Sequence, residues 1–264
     1  MKIGVIGLGN MAGAMIGGLL AKGYAKPEEI YGSDANAETA KKRAEEFGIH
    51  IAKNNRETAM EADYLIFAVK PQFAPGVIDE IKDAGKAGQV IISIMAGKSI
   101  AWITEKFGHD IKLVRCMPNT AALVGEAVTA LSPNENVGKE ELDTVKSILE
   151  SFGRAEVVPE HLMDSVVGVS GSAPAYVFML IESMADAAVE GGMPRQQAYT
   201  FAAQAVLGSA KLMLETGKHP GELKDMVCSP AGTTIAAVRV LEERGLRGAV
   251  MDAVAAAIQR SKEL

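Results

Sequence analysis

The stretch Lys2-Ile3-Gly4-Val5-Ile6-Gly7-Leu8-Gly9-Asn10-Met11-Ala12 decides the fold. Lys2–Ile6 is a short apolar, β-branched run of the kind that forms a strand covered on both faces. Two glycines follow, and from Asn10 to about residue 22 the apolar spacing becomes helical. In a strand–turn–helix of this pattern, Gly7 permits the tight turn and Gly9 lets the backbone approach a pyrophosphate. Ala12 is the third small residue, where helix packs on strand. The helix start then offers unpaired N–H groups and partial positive charge to phosphates. Gly-x-Gly-x-x-Ala alone also occurs in turns without ligands. Here a strand precedes it and a helix follows, so Gly7, Gly9, Asn10 and Met11 are read as a dinucleotide phosphate loop.

Outward from that loop, β-like runs alternate with amphipathic segments. Strands are expected at Lys2–Ile6, Glu29–Gly32, Tyr64–Val69, Val90–Ile94, Lys112–Cys116, Ala127–Leu131 and Glu156–Val158. Helices are expected at 10–22, 36–47, 74–83, 99–107 and 139–151. This alternation predicts a doubly wound α/β domain with a parallel sheet, of Rossmann type, over residues 1–160. The texture changes after Pro159. Ala, Met, Leu and Gly at helical spacing predict helices at 172–191, 195–216, 220–227, 233–243 and 246–261, so residues 161–264 read as an all-helical domain. About a hundred residues of such helices cannot bury all their apolar faces alone, and a homodimer through this half is the expected remedy.

Composition sets outer limits. The 264 residues are 48% hydrophobic and 23% charged, the profile of an ordinary globular protein. Twenty-seven basic residues against 33 acidic give a net charge of −6, which argues against nucleic-acid partners. The two cysteines, Cys116 and Cys228, and four scattered histidines lack metal-ligand spacing. The thiols are expected to stay reduced in a cytoplasmic protein. No stretch reads as a membrane span or a secretory leader. The run Lys41–Glu46 reads as a solvated helix face with local ion pairs.

Open α/β sheets bind ligands at the carboxyl ends of their strands. Four such ends carry candidate residues: Ser33-Asp34, Ala68-Val69-Lys70-Pro71, Met95-Ala96-Gly97-Lys98, and Arg115-Cys116-Met117-Pro118-Asn119-Thr120. With Asn55 they complete the cofactor set Gly7, Gly9, Asn10, Met11, Ser33, Asp34, Asn55, Ala68, Val69, Lys70, Pro71, Ala96, Pro118 and Asn119. Asp34 follows Gly9 by 25 residues, near the place of a ribose-binding acid. A carboxylate facing the ribose 2′ position favours NADH, whereas Asp34 or Asn36 as a helix cap carries no such meaning. Both readings stand at this level. In the second half, Ser170-Gly-Ser-Ala-Pro-Ala-Tyr176 and Val227-Cys-Ser-Pro-Ala-Gly-Thr-Thr234 start helices with small polar residues. The second is a natural nest for a carboxylate.

Pro220–Glu242, with Cys228-Ser-Pro-Ala-Gly-Thr-Thr234 at its centre, resembles the signature of the pyrroline-5-carboxylate reductases. The order Gly7-Leu-Gly-Asn-Met-Ala12, Ala68–Pro71, Met117–Thr120, Ser170–Tyr176, Ser229–Thr234 resembles that family from end to end. The resemblance implies NAD(P)H-dependent reduction of 1-pyrroline-5-carboxylate to L-proline, the last step of proline biosynthesis. It implies that Ser229, Ala231, Gly232 and Thr233 receive the substrate carboxylate, with Val227 in the same site. Thr234 would hydrogen-bond the ring nitrogen as the catalytic group, and subunits would pair into dimers, in some members decamers. This chain has Ala173 and Ala231 where many relatives have glycine. A β-hydroxyacid dehydrogenase is the competing enzyme, but Tyr176–Glu182 lacks that group's lysine. A non-catalytic dinucleotide sensor would need a partner-reading element, and no basic recognition helix stands out. A helical interaction protein would use Met179, Met184 and Met193 as its binding face; methionines at such spacing more often serve a core or a dimer interface.

Overall fold

The computed structural model describes residues 1–263. Two compact units are present, one made of Met1–Gly171 with the C-terminal residues from Ala257, the other of Ser172–Ala256. The first unit is built on a sheet of eight strands among the described residues. In chain order they are β1 (Ile3–Ile6), β2 (Ile30–Ser33), β3 (His50–Ile51), β4 (Tyr64–Phe67), β5 (Val90–Ser93), β6 (Lys112–Met117), β7 (Ala127–Pro133) and β8 (Gly153–Val157). Helices α1 (Asn10–Ala21), α2 (Ala37–Phe47), α3 (Asn55–Glu61), α4 (Ala74–Ile81), α5 (Ile100–Phe107) and α6 (Lys139–Glu150) connect them.

Strand order is β3-β2-β1-β4-β5-β6-β7-β8. The chain winds outward from β1 in both directions, so the switch point lies between β1 and β4, where such sheets hold ligands. Both sheet faces are covered. Ile3, Val5, Ile66, Ile92 and Val114 pack with Met15, Ile16 and Leu19 of α1 and Ile148 of α6. The alternate residues Ile6, Leu65, Phe67, Ile91 and Leu113 pack with Ile78 of α4 and Ile103 of α5. This two-sided burial is why the strands read as unbroken apolar runs.

Three features depart from the sequence reading. The sheet is not wholly parallel: β6 and β7 run antiparallel, with Cys116 opposite Leu131, while β7 and β8 are parallel. Residues 118–126 alone join β6 to β7, too few for a crossover, so the chain must reverse. Two elements are additional. β3 is a two-residue, exposed edge strand beside β2, and α3 is polar along most of its length. Asn54 starts α3 by accepting from the Glu57 N–H at 2.9 Å, a cap visible in the sequence as Asn three residues before Glu.

After β8, a short helix α7 (Met163–Val166) runs into a π-helical turn, Val167–Gly171. The second unit holds α8 (Ala173–Glu190), α9 (Arg195–Thr216), α10 (Pro220–Met226), α11 (Thr233–Glu243) and most of α12 (Leu246–Lys262). Small residues, Ala185, Ala198 and Ala202, are what this unit buries. Its large side chains stay outside: Phe178, Met179 and Phe201 are each 66% exposed. A single chain leaves these faces uncovered, the pattern of an association surface. The helical run 160–190 is also long and apolar enough, by length and composition, to cross a bilayer. This corrects the expectation that no stretch is span-like; alanine, valine and methionine accumulate there without a conspicuous leucine-rich core.

Candidate functional site

One candidate site, within the first unit, forms at the β1–β4 switch. Gly7 has a φ of +88°, a conformation side chains rarely adopt. A Cβ there would lie 2.7 Å from the Ala68 carbonyl oxygen, so the β1 and β4 ends meet only because residue 7 is glycine. The Gly7 N–H donates to the Ser33 carbonyl at 2.8 Å, joining the loop to β2. Gly9 is the N-cap of α1, with no side-chain cap and no acid in the first turn. A Cβ on Gly9 would meet nothing within 4 Å. Open space thus faces a helix start whose N–H groups have no intrahelical partner, a cradle that fits a pyrophosphate. Ala12 is buried, and Met11 packs half-buried against the core.

The other cofactor candidates lie along the same rim. Asp34, at the end of β2, accepts the Leu8 N–H (2.7 Å) on Oδ2 and the Asn36 N–H (2.8 Å) on Oδ1. Asn36, not Asp34, caps α2 by accepting from Glu38 and Thr39. The Ser33 hydroxyl donates to Asn55 Oδ1 (2.9 Å), and Asn55 Nδ2 donates to Glu80. Ala68 and Val69 are half-buried, while Lys70 is exposed and precedes the short 3-10 turn Pro71–Phe73. Ala96 is exposed after β5, and Pro118 is buried after β6. The Asn119 side chain is occupied by protein: Nδ2 donates to the Ser170 carbonyl (3.2 Å) and Oδ1 accepts the Val128 N–H (3.4 Å). It ties the β6 rim to the π-helical turn and to β7. Arg115 is buried and pairs with Glu160 at 3.0 Å, which also accepts the Ile100 N–H, so this arginine joins three elements.

One residue at this rim escaped the sequence reading. Arg43 does not lie on a solvated face: Nε donates to the Leu8 carbonyl (3.1 Å) and Nη2 to the Gly9 carbonyl (3.3 Å). A periodic signal was available. Ala40, Arg43 and Phe47 fall on one helical stripe, and Ala40 is buried.

A separate candidate site, in the second unit, is the turn leading into α11. The Gly232 N–H donates to the Ser229 carbonyl (3.0 Å), closing a turn with Pro230 at its second position and Ala231 at its third. That third position requires positive φ in a type II turn, and Ala231 has φ of +58°, alone among the described non-glycine residues. Gly232 is constrained differently: a Cβ would lie 2.4 Å from Ser229 Oγ. Gly232 is the N-cap of α11, again with no side-chain cap and no acid in the first turn. By contrast α2, α3, α5 and α10 are closed by Asn36, Asn54, Ser99 and His219. Thr233 is exposed, Thr234 half-buried, and Val227 and Ser229 exposed around this opening. Cys228 beside them is half-buried, and hydrogen bonding to Asp225 raises the nearby Lys224 amine. Cys116 lies deep in the sheet, where burial pushes its thiol up and away from reactivity. Among the described residues, no cluster of His, Cys, Asp or Glu is arranged to hold a metal ion.

Because Ala231 carries a strained φ, Ala231→Gly is expected to raise stability by about 1 kcal/mol, read as a higher midpoint in urea. An unchanged or lower midpoint would show that the turn does not store this strain.

Comparison with known proteins matches both parts of the chain. The family described as "Pyrroline-5-carboxylate reductase dimerisation" matches residues 160–264, and "NADP oxidoreductase coenzyme F420-dependent" matches residues 2–97. The chain is 50% identical over 263 residues to the pyrroline-5-carboxylate reductase of Escherichia coli, covering 100% of this chain and 98% of that one. The structure of a pyrroline-5-carboxylate reductase from Coxiella burnetii superposes with a TM-score of 0.93 at 35% identity, covering 99% and 97% of the two chains. A Plasmodium falciparum pyrroline carboxylate reductase with NADP bound superposes at 0.88 and 32% identity, covering 100% and 97%.

Proposed function

The chain belongs to the pyrroline-5-carboxylate reductase family, and we propose from that premise how its residues carry the reaction. The enzyme is an NAD(P)H-dependent oxidoreductase that reduces 1-pyrroline-5-carboxylate to L-proline, the last step of proline biosynthesis. The nicotinamide, when bound, supplies the hydride. The chain's own contribution is positioning. Gly7, Gly9, Asn10 and Met11 receive the pyrophosphate, with Ser33, Asp34, Asn55, Ala68–Pro71, Ala96, Pro118 and Asn119 along the rim. Val227, Ser229, Ala231, Gly232 and Thr233 hold the substrate carboxylate on the open start of α11. Thr234 Oγ1 orients the ring nitrogen and relays a solvent proton to it, taking one from water as it gives one up.

The observation that carries this reading is that α1 and α11 each start on a glycine N-cap with no side-chain cap and no acid in the first turn, whereas the likewise uncapped, acid-free starts of α4, α8 and α9 follow Phe73, Ser172 and Pro194. The α1 and α11 starts each suit an anion, and the reaction brings together two molecules that carry anionic groups, a pyrophosphate and a carboxylate. A cyclic imine protonates readily, so its carbon accepts hydride without a strong protein acid. Holding both reactants in line is worth up to ~7–11 kcal/mol. Residues 1–160 form the dinucleotide domain in this reading. Residues 161–264 form the substrate and dimerisation domain of a cytoplasmic homo-oligomer built on a dimer, whose acidic surface does not suit nucleic acid.

The test is nicotinamide absorbance with purified protein, 1-pyrroline-5-carboxylate, and NADH or NADPH. Oxidation that depends on the imine is expected. Folded, dimeric protein that oxidises neither cofactor would overturn the assignment.

A further inference from the structure

Leu8 sits between two opposite charges. Its N–H is held by the Asp34 carboxylate at 2.7 Å and its carbonyl by Arg43 Nε at 3.1 Å. These residues are 26 and 35 positions away, one at the end of β2 and the other on α2. Arg43 also holds the Gly9 carbonyl at 3.3 Å and pairs with Glu46 at 2.5 Å. Its guanidinium occupies the space that a side chain at position 13 would need: a Cβ on Gly13 would lie 2.5 Å from Arg43 Cζ.

Two consequences follow from peptide geometry. In a trans peptide, the carbonyl of one residue and the N–H of the next point in opposite directions. Tying the Leu8 and Gly9 carbonyls back to Arg43 therefore turns the Gly9 and Asn10 N–H groups away from α2, the orientation that a phosphate needs. The second consequence concerns the carboxylate. A free aspartate at the end of β2 can rotate aside when an anion approaches. Asp34 is held on both oxygens, by Leu8 on Oδ2 and by Asn36 on Oδ1. Its charge stays where the adenosine ribose of a bound dinucleotide lies. A ribose 2′-hydroxyl donates to a remaining lone pair there, whereas a 2′-phosphate meets a fixed negative charge. Arg43 does not pair with that charge: its three bonded N–H groups go to two carbonyls and to Glu46, whose carboxylate balances the guanidinium.

We infer that Asp34 and Arg43 form a charged clamp on the phosphate loop, in which Arg43 is a positioning residue for both dinucleotides and Asp34 selects NADH over NADPH. The inference rests on the dinucleotide-binding reading above and not on the identity of the imine. Titration of the full-length protein with NADH and with NADPH, followed by cofactor fluorescence without substrate, tests it directly. Wild-type protein should bind NADH about 10-fold or more tightly than NADPH. Asp34→Ser should move that ratio toward NADPH by about the same factor. Arg43→Ala should weaken both cofactors by a similar factor of about 10 and leave their ratio in place, with Arg43→Lys recovering part of the loss.

Wild-type binding of NADPH as tight as NADH overturns the selective role of Asp34, as does an unchanged ratio in Asp34→Ser. Arg43→Ala binding both cofactors like wild type, with thermal melting showing a folded protein, overturns the positioning role. Selective binding of NADH without imine-dependent oxidation would instead sink the reductase assignment and leave the clamp standing.

Discussion

Thr234→Val should keep its helix and lose the reaction. Thr234 is the second residue of α11 and is half-buried beside the Gly232 cap. Valine has the same shape and β-branching, so it removes the hydroxyl while leaving the local packing intact. With no donor or acceptor for the ring nitrogen, turnover should fall about 10²-fold, the scale of losing one positioned hydrogen-bonding group in a transition state. NADH and NADPH dissociation constants should not move, because the cofactor set lies in the other unit. The Michaelis constant for the imine should change far less than turnover, since the carboxylate nest is untouched. Thr234→Ser should recover part of the rate. Wild-type turnover in Thr234→Val would remove this residue from the chemistry.

Gly9→Asp should separate stability from function with opposite signs. Gly9 is extended at the N-cap of α1, and a Cβ there meets nothing, so aspartate fits without strain. An aspartate N-cap accepts from the first-turn N–H groups and faces the positive helix end, worth about 0.5–1 kcal/mol. Those are the same N–H groups that the pyrophosphate needs, and the new carboxylate repels it. The melting temperature should hold or rise while binding of both dinucleotides weakens by about 10²-fold or more. Undiminished cofactor binding by this variant would place the pyrophosphate elsewhere. Gly7→Ala makes the informative contrast: with φ of +88° and 2.7 Å to the Ala68 carbonyl, it should lose stability outright.

Much of the first unit and most helix limits of the second were legible without coordinates. Buried strands announce themselves as unbroken β-branched runs, as in Val90–Ser93, and helix limits as caps and breaks, as in Met193-Pro194 before α9 and Gly217 after it. The open helix starts after Gly9 and Gly232 were legible for the same reason: a glycine or small polar residue at a helix start is a local signal. What could not be read there is equally specific. The reversal of β7 depends on which neighbour a strand finds, and the short connection only forbids one answer. β3 is only two exposed residues and α3 is mostly polar, burying only Thr58 and Ala59, so no apolar period marks them. Ala231 shows its strained φ only once its turn is built.

The sequence by itself therefore determined most of the elements and the two glycine-led helix starts, because these depend on interactions within a few residues. The tertiary structure alone decided that Asp34 and Arg43 close on Leu8 from opposite sides, across 26 and 35 positions of chain. It also decided that Asn119 is spent on the π-helical turn 51 residues away. Those pairings are set by how β2, α2 and the turn pack against the β1 loop and the β6 rim, and no local pattern of residues encodes the distance between two side chains that meet only after the sheet has formed.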